Sequence, residues 1–126
     1  YACRAALQHM VPRRCGAIVN VASMGGISGV GSSIPYVVSK GAMITLTKAL
    51  AREYTRHQIR VNAVAPGVVD TRWIAGHPEH KEFALQQTPL GRIATPEDVA
   101  HTIVYLLEND FIVGQTIIVD GGRTIH

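Results

Sequence analysis

Apolar positions in this chain fall into short blocks set apart by turn residues and by segments of helical spacing. "AIVNVAS", residues 17–23, is a β-rich apolar run between Gly16 and the Gly25-Gly26 pair, the pattern of a strand covered on both faces. "IRVNAVAPG", residues 59–67, repeats the pattern and ends in a Pro-Gly turn, and "GQTIIVDGG" closes the chain with a third short strand and a Gly-Gly turn. Between these blocks the period lengthens. Residues 1–11 are helix-compatible, with Ala5, Ala6, Leu7 and Met10 on one face, and Pro12 is expected to stop the helix. A loop rich in Gly and Ser runs from Met24 to Ser33, after which Ser33 as cap and Pro35 in the first turn open a helix reaching about Arg56. That helix is apolar or small almost all round (Val37, Val38, Ala42, Ile44, Leu46, Ala49, Leu50), which predicts packing on more than one side. "TPEDVAHTIVYLL" starts the last helix, with Thr95 as cap, Pro96 at the first position and Asp98 three after the cap. Residues 70–92 are polar and mixed, with helical spacing only from Glu79 to Gln87; segments of this kind are often lids or substrate loops.

Strands alternating with helices predict an α/β layer structure with parallel strands and right-handed crossovers. Three strands are fewer than the usual five or six, so a sheet edge is expected to be bare, the pattern of half a domain. No turn or cap precedes Tyr1, so the first residues are expected to lie inside a structural element.

Composition narrows the possible functions. With 47% hydrophobic residues in 126, the chain can bury a real core, and 17% charged residues is low enough that much of its surface is expected to be covered. Net charge is +3, and Arg13, Arg14, Arg52, Arg56, Arg60, Arg92 and Arg123 are scattered; they read as ordinary solvated charges, not as a nucleic-acid face. No apolar run has the length of a membrane span, and no signal peptide opens the chain. Cys3 and Cys15 lack metal or redox spacing and read as buried or inert thiols of a reducing, cytoplasmic setting.

The candidate chemistry lies in "SSIPYVVSKGAM", residues 32–43. Tyr36 and Lys40 are four apart, so on a helix they share a face one turn from each other. A phenol is ordinarily a poor base at neutral pH, and a cation within about 4–6 Å favours the phenolate. Such a tyrosine can protonate a carbonyl oxygen as hydride arrives, or take the proton from an alcohol in reverse. Taken alone, the pair reads more readily as a packing tyrosine and a solvated lysine, because this spacing is common by chance. Ser23 ends the first strand, at the carboxyl end where open α/β sheets bind ligands, and its hydroxyl can orient a carbonyl toward the phenol. Ser28, Ser32 and Ser33 are rivals on the loop.

"IVNVAS", the thirteen-residue step from Ser23 to Tyr36, "YVVSK", "IRVNAVAPGVVDT", "PLGRIATPEDVA" and "GQTIIVDGG" together resemble the second half of a short-chain dehydrogenase/reductase, over essentially the whole chain. The resemblance implies the carboxyl-terminal half of a Rossmann-like, doubly wound parallel sheet, with Ser23, Tyr36 and Lys40 as catalytic residues. Ser23 would polarise the carbonyl, Tyr36 would transfer the proton, and Lys40 would favour the phenolate and bind the nicotinamide ribose. Pro66, Gly67, Val69 and Thr71 match the segment that cradles the nicotinamide of NAD or NADP, with Gly67 letting the backbone approach the ring. The glycine-rich phosphate loop of the family does not occur in these residues, nor does the selector between NAD and NADP; the tetrad asparagine would fall just before Tyr1. The chain is therefore expected to represent about half of a single dehydrogenase domain, with 70–92 as its lid.

The implied activity is interconversion of a small-molecule secondary alcohol and ketone, leaning toward 3-oxoacyl-thioester reductases; the alternative is a non-catalytic subunit serving as cofactor sensor or scaffold. A homodimer or homotetramer follows from the apolar helix and the resemblance. His77 and His80, three apart, lack a third metal ligand, and proline disturbs the helix they would need, so no metal site is assigned. His9, His57, His101 and His126 read as surface or core residues, Trp73 as a pocket-lining or packing residue, and Asn62 and Asp120-Gly121-Gly122 as structural.

Overall fold

The computed structural model describes residues 1–125, so His126 lies outside the described residues. The chain runs α1 (Ala2–Arg13), β1 (Gly16–Val21), α2 (Gly25–Ser28), α3 (Ile34–Tyr54), a 3-10 turn (Thr55–His57), β2 (Ile59–Pro66), α4 (Arg72–Ala75), α5 (Pro78–Gln86), α6 (Pro96–Glu108) and β3 (Thr116–Val119). The three strands form one parallel sheet in the order β1-β2-β3. Gly16 pairs with Ile59 and Val21 with Val64, while Ala63 pairs with Thr116 and Pro66 with Val119. This is the α/β architecture with parallel strands that the alternating periods predict.

The two-residue period of a strand decides what covers each face. Ile18, Ile59 and Val61 pack with Leu7 of α1 and with Leu50, Ala51 and Tyr54 of α3. Val19, Val64 and Ile117 pack with Val99, Ile103 and Leu106 of α6. Helices therefore lie on both faces of the sheet. Each large apolar side chain taken fully from water in these layers contributes about 1.5–3 kcal/mol. Asn62, buried in β2, donates to the Ile112 carbonyl at 2.7 Å and accepts from the Gln115 N–H at 2.9 Å, tying the loop before β3 to the sheet.

Four expectations change. β1 reads as covered on both faces, yet it is only half-buried and Val21 is exposed, because among the described residues β1 has a neighbouring strand on one side alone. Pro12 does not stop α1; the helix continues to Arg13 and closes through Arg14 in the left-handed conformation, whose N–H bonds to Met10 and Val11. A proline so near a carboxyl end removes one ladder bond, and the closing turn offsets it. The Gly/Ser loop contains α2, ended by Gly29 at φ 75°. Cys15 is exposed and Cys3 half-buried, its thiol donating to Asn20 Oδ1, so neither is a fully buried thiol.

Candidate active site

Beyond β1 the ladder continues in single bonds: the Ala22 N–H donates to the Val64 carbonyl at 2.8 Å and the Met24 N–H to the Pro66 carbonyl at 2.9 Å. These bonds fix Ser23 at the carboxyl end of the sheet, 8% exposed, where its Oγ accepts from the Gly25 N–H at 3.1 Å. The same oxygen keeps its own proton free to donate. α2 then lies directly on the backbone of α3. A Cβ at Gly26 would sit 2.6 Å from Gly41 N and 2.6 Å from the Lys40 carbonyl carbon, so the approach requires glycine.

α3 starts as its sequence predicts, with Ser33 Oγ accepting from the Tyr36 N–H and Pro35 in the first turn. One turn separates Tyr36 from Lys40. The ammonium lies 5.8 Å from the centroid of the Tyr36 ring and donates to the Val21 carbonyl at 2.9 Å. Tyr36 is 38% exposed and opens with Ser23 onto one cavity of about 780 Å³, whose wall also includes Gly67, Val69, Thr71 and Trp73. Of the rival serines, Ser32 reaches this wall, Ser33 serves as the helix cap, and Ser28 bonds back to the Met24 carbonyl.

The segment after β2 supplies the opposite wall. Pro66 is not among the lining residues; its carbonyl takes the Met24 N–H, which gives it a structural duty. At Gly67 a Cβ would sit 3.0 Å from Asp120, so the glycine accommodates the β3 turn in addition to bordering the cavity. Val69 forms an isolated parallel bridge with Ala94. The bridging bonds run from the Ala94 N–H to the Val68 carbonyl and from the Asp70 N–H to the Ala94 carbonyl. In a parallel bridge this leaves the N–H and C=O of Val69 itself directed the other way, and no described residue uses them.

α4 and α5 line the cavity through Trp73, Ile74, His80, Phe83 and Ala84, and Lys81 of α5 bonds to Asp70 at 2.8 Å. Trp73, His77 and His80 form an aromatic cluster, with centroids 4.9 Å apart for Trp73–His77 and 5.2 Å for His77–His80. Among the described residues no group of three or more candidate metal ligands is found. Farther out, Arg92 clasps Asp98 at 2.6 Å; these hydrogen bonds first, and the Thr95 N–H second, hold the Asp98 carboxyl well below the usual carboxylate range.

Arg123 departs from its reading as a solvated charge: it is half-buried and lines the same cavity. Asp120 accepts from the Gly122 N–H at 2.9 Å and the Thr124 N–H at 2.8 Å. Gly121 and Gly122 take φ of 63° and 93°, and the resulting turn brings Arg123 back to the sheet end. A cation directly after a Gly-Gly turn at the end of a parallel strand was the available signal.

A family described as Enoyl-(Acyl carrier protein) reductase matches residues 1–124. The "Short-chain dehydrogenase/reductase homolog YusR" of Bacillus subtilis (strain 168) is 46% identical, over 99% of this chain and 96% of its own. The 3-oxoacyl-[acyl-carrier-protein] reductase of Homo sapiens is 42% identical over 95% of this chain and 50% of its own. The solved structure titled "ElxO with NADP Bound" superposes with a TM-score of 0.89 at 38% identity, over 98% of this chain and 52% of that one. The chain thus spans nearly all of the Bacillus relative and about half of the other two. Among the described residues no helix is long and apolar enough to cross a membrane.

Proposed function

This chain belongs to the short-chain dehydrogenase/reductase family, and on that premise we propose that it forms the proton-transferring half of an NAD(P)-dependent oxidoreductase acting on a secondary alcohol or ketone. The observation that carries the reading is the joint opening of Ser23 and Tyr36 onto one cavity, with the Lys40 ammonium 5.8 Å from the phenol ring. Ser23 donates a hydrogen bond to the substrate oxygen and keeps its proton. Tyr36 gives the proton that turns that oxygen into an alcohol, or removes it in the oxidative direction. Lys40 spends one of its three N–H donors on the Val21 carbonyl, which fixes the ammonium, and keeps two for sugar hydroxyls.

The residues present fit one end of the dinucleotide. Val69 offers an unused N–H and C=O on the cavity wall, suited to a carboxamide, and Thr71 adds a hydroxyl. A bound nicotinamide supplies or accepts the hydride. The phosphate end would need a glycine-rich helix start, which a complementary half would bring alongside the open edge of β1. On this reading residues 1–126 are one half of a single dehydrogenase domain and 70–92 its lid. The two unpaired thiols suit a cytoplasmic setting.

Replacing Tyr36 by Phe tests the mechanism: with the complementary half present, turnover of a nicotinamide cofactor with ketone is expected to fall about 10²–10⁴-fold while the fold is retained. Unchanged turnover would overturn the reading. The near-full-length match to the Bacillus relative favours a second reading, in which a chain of this size acts without catalysis as a cofactor sensor or scaffold. Absence of turnover in any pairing, with dinucleotide binding retained, would select it.

A further inference from the structure

We propose that Arg123 anchors an oxyanion, a carboxylate or a phosphate, on the substrate whose oxygen meets Tyr36; the proposal rests on the oxidoreductase reading above. Among the described residues, the wall of the 780 Å³ cavity holds Arg123 and no Asp or Glu. Its formal charge is therefore positive. Arg123 is half-buried, and no carboxylate among the described residues pairs with it. Asp120, the acidic residue nearest in sequence, spends both oxygens on its own turn: Oδ1 accepts from the Gly122 N–H, and Oδ2 from the Thr124 N–H and hydroxyl.

A half-buried guanidinium without a carboxylate is an incomplete arrangement, because its fork of N–H donors matches two oxygens of one anion. His80 lies on the same wall and offers a further ring nitrogen. Met24, Val30, Ile74 and Phe83 give the lining an apolar part, which suits a carbon skeleton between the reacting oxygen and the anion. Oxo or hydroxy compounds carrying an anionic group are the substrate class these features select.

Two measurements separate this proposal from the activity it rests on. In the first, the protein with its complementary half is offered a β-keto acid and the methyl ester of the same acid. R123Q is expected to raise KM for the acid about tenfold or more, the scale of one charge-assisted hydrogen bond, and to leave the ester unchanged, with R123K retaining part of the preference. Equal losses on acid and ester, or no loss on either, would overturn the proposal, as would a defect confined to dinucleotide binding. In the second, Trp73, the single tryptophan of the chain, reports from the same wall without any turnover. Titration of its emission with sodium acetate and with inorganic phosphate is expected to saturate and to weaken about tenfold in R123Q. The tighter of the two names the anion. No response, or the same response in R123Q, would overturn the anchor even if the enzyme turns over. A saturating, Arg123-dependent response without turnover would support the anchor and sink the activity instead.

Discussion

Lys40 is held from two directions, by the Val21 carbonyl at the end of β1 and by the backbone of α2 against its own helix. The second restraint is the more sensitive, since it depends on the absence of one methyl group. Changing Gly26 to Ala forces α2 off α3 and is expected to destabilise the fold by about 1–3 kcal/mol, the usual cost of overpacking. Because the displaced backbone belongs to Lys40, turnover should drop further than the unfolded fraction explains, which denaturant unfolding and steady-state rates on one sample will show. The Tyr36–Lys40 pair was legible because a helical turn is a local relation, and Ser23 because a strand end is. Arg123 was not, since a turn built on two left-handed glycines decides where it goes and its neighbours come from distant segments. The bond from the Met24 N–H to the Pro66 carbonyl, a pairing across 42 positions, is one that no spacing reveals.

Among the elements, α6 shows both kinds of legibility at once. Its start is written in the chain: Thr95 accepts from the Asp98 N–H and Asp98 returns the bond to the Thr95 N–H. Its end is not, because the last carbonyls are collected by Arg60 of β2, which donates to Leu106 at 2.8 Å, Leu107 at 2.7 Å and Asn109 at 2.7 Å. A cation there also meets the negative end of the helix dipole. At the start, Asp98 gives a pH signature. Its folded value is depressed, so its stabilisation is fully present above the unfolded carboxylate value of about 4 and is lost as pH falls through the folded value. D98N is therefore expected to melt lower than the parent at neutral pH, and the gap should close on acidification below about pH 4, as thermal melts across that range will report. T95A removes the other half of the box and should cost about 1 kcal/mol at neutral pH.

For the molecule as a whole, a sheet with helices on both faces was readable from the alternation of two periods, and the half-covered state of β1 was not, since burial depends on what stands beside a strand. α3 sharpens the point. Its apolar circumference was visible in the chain, but Ile34, Val38 and Leu46 remain exposed. This leaves a face for a second copy, and a homodimer or homotetramer built on α3 is the proposed assembly. Light scattering should return a multiple of the chain mass for the assembled protein, and V38E should shift it toward the monomer; a monomeric parent would refute the arrangement.

The central strand carries a final implication. Ala22 and Met24 hang Ser23 from β2, and the Gly67 N–H bonds to the Val119 carbonyl, so both walls of the cavity are stitched to the same ladder. Loosening either of these two walls on warming is expected to disturb the other. Melting of the sheet and collapse of the cavity are therefore expected to coincide, and tryptophan emission followed beside far-UV dichroism on heating should give one midpoint.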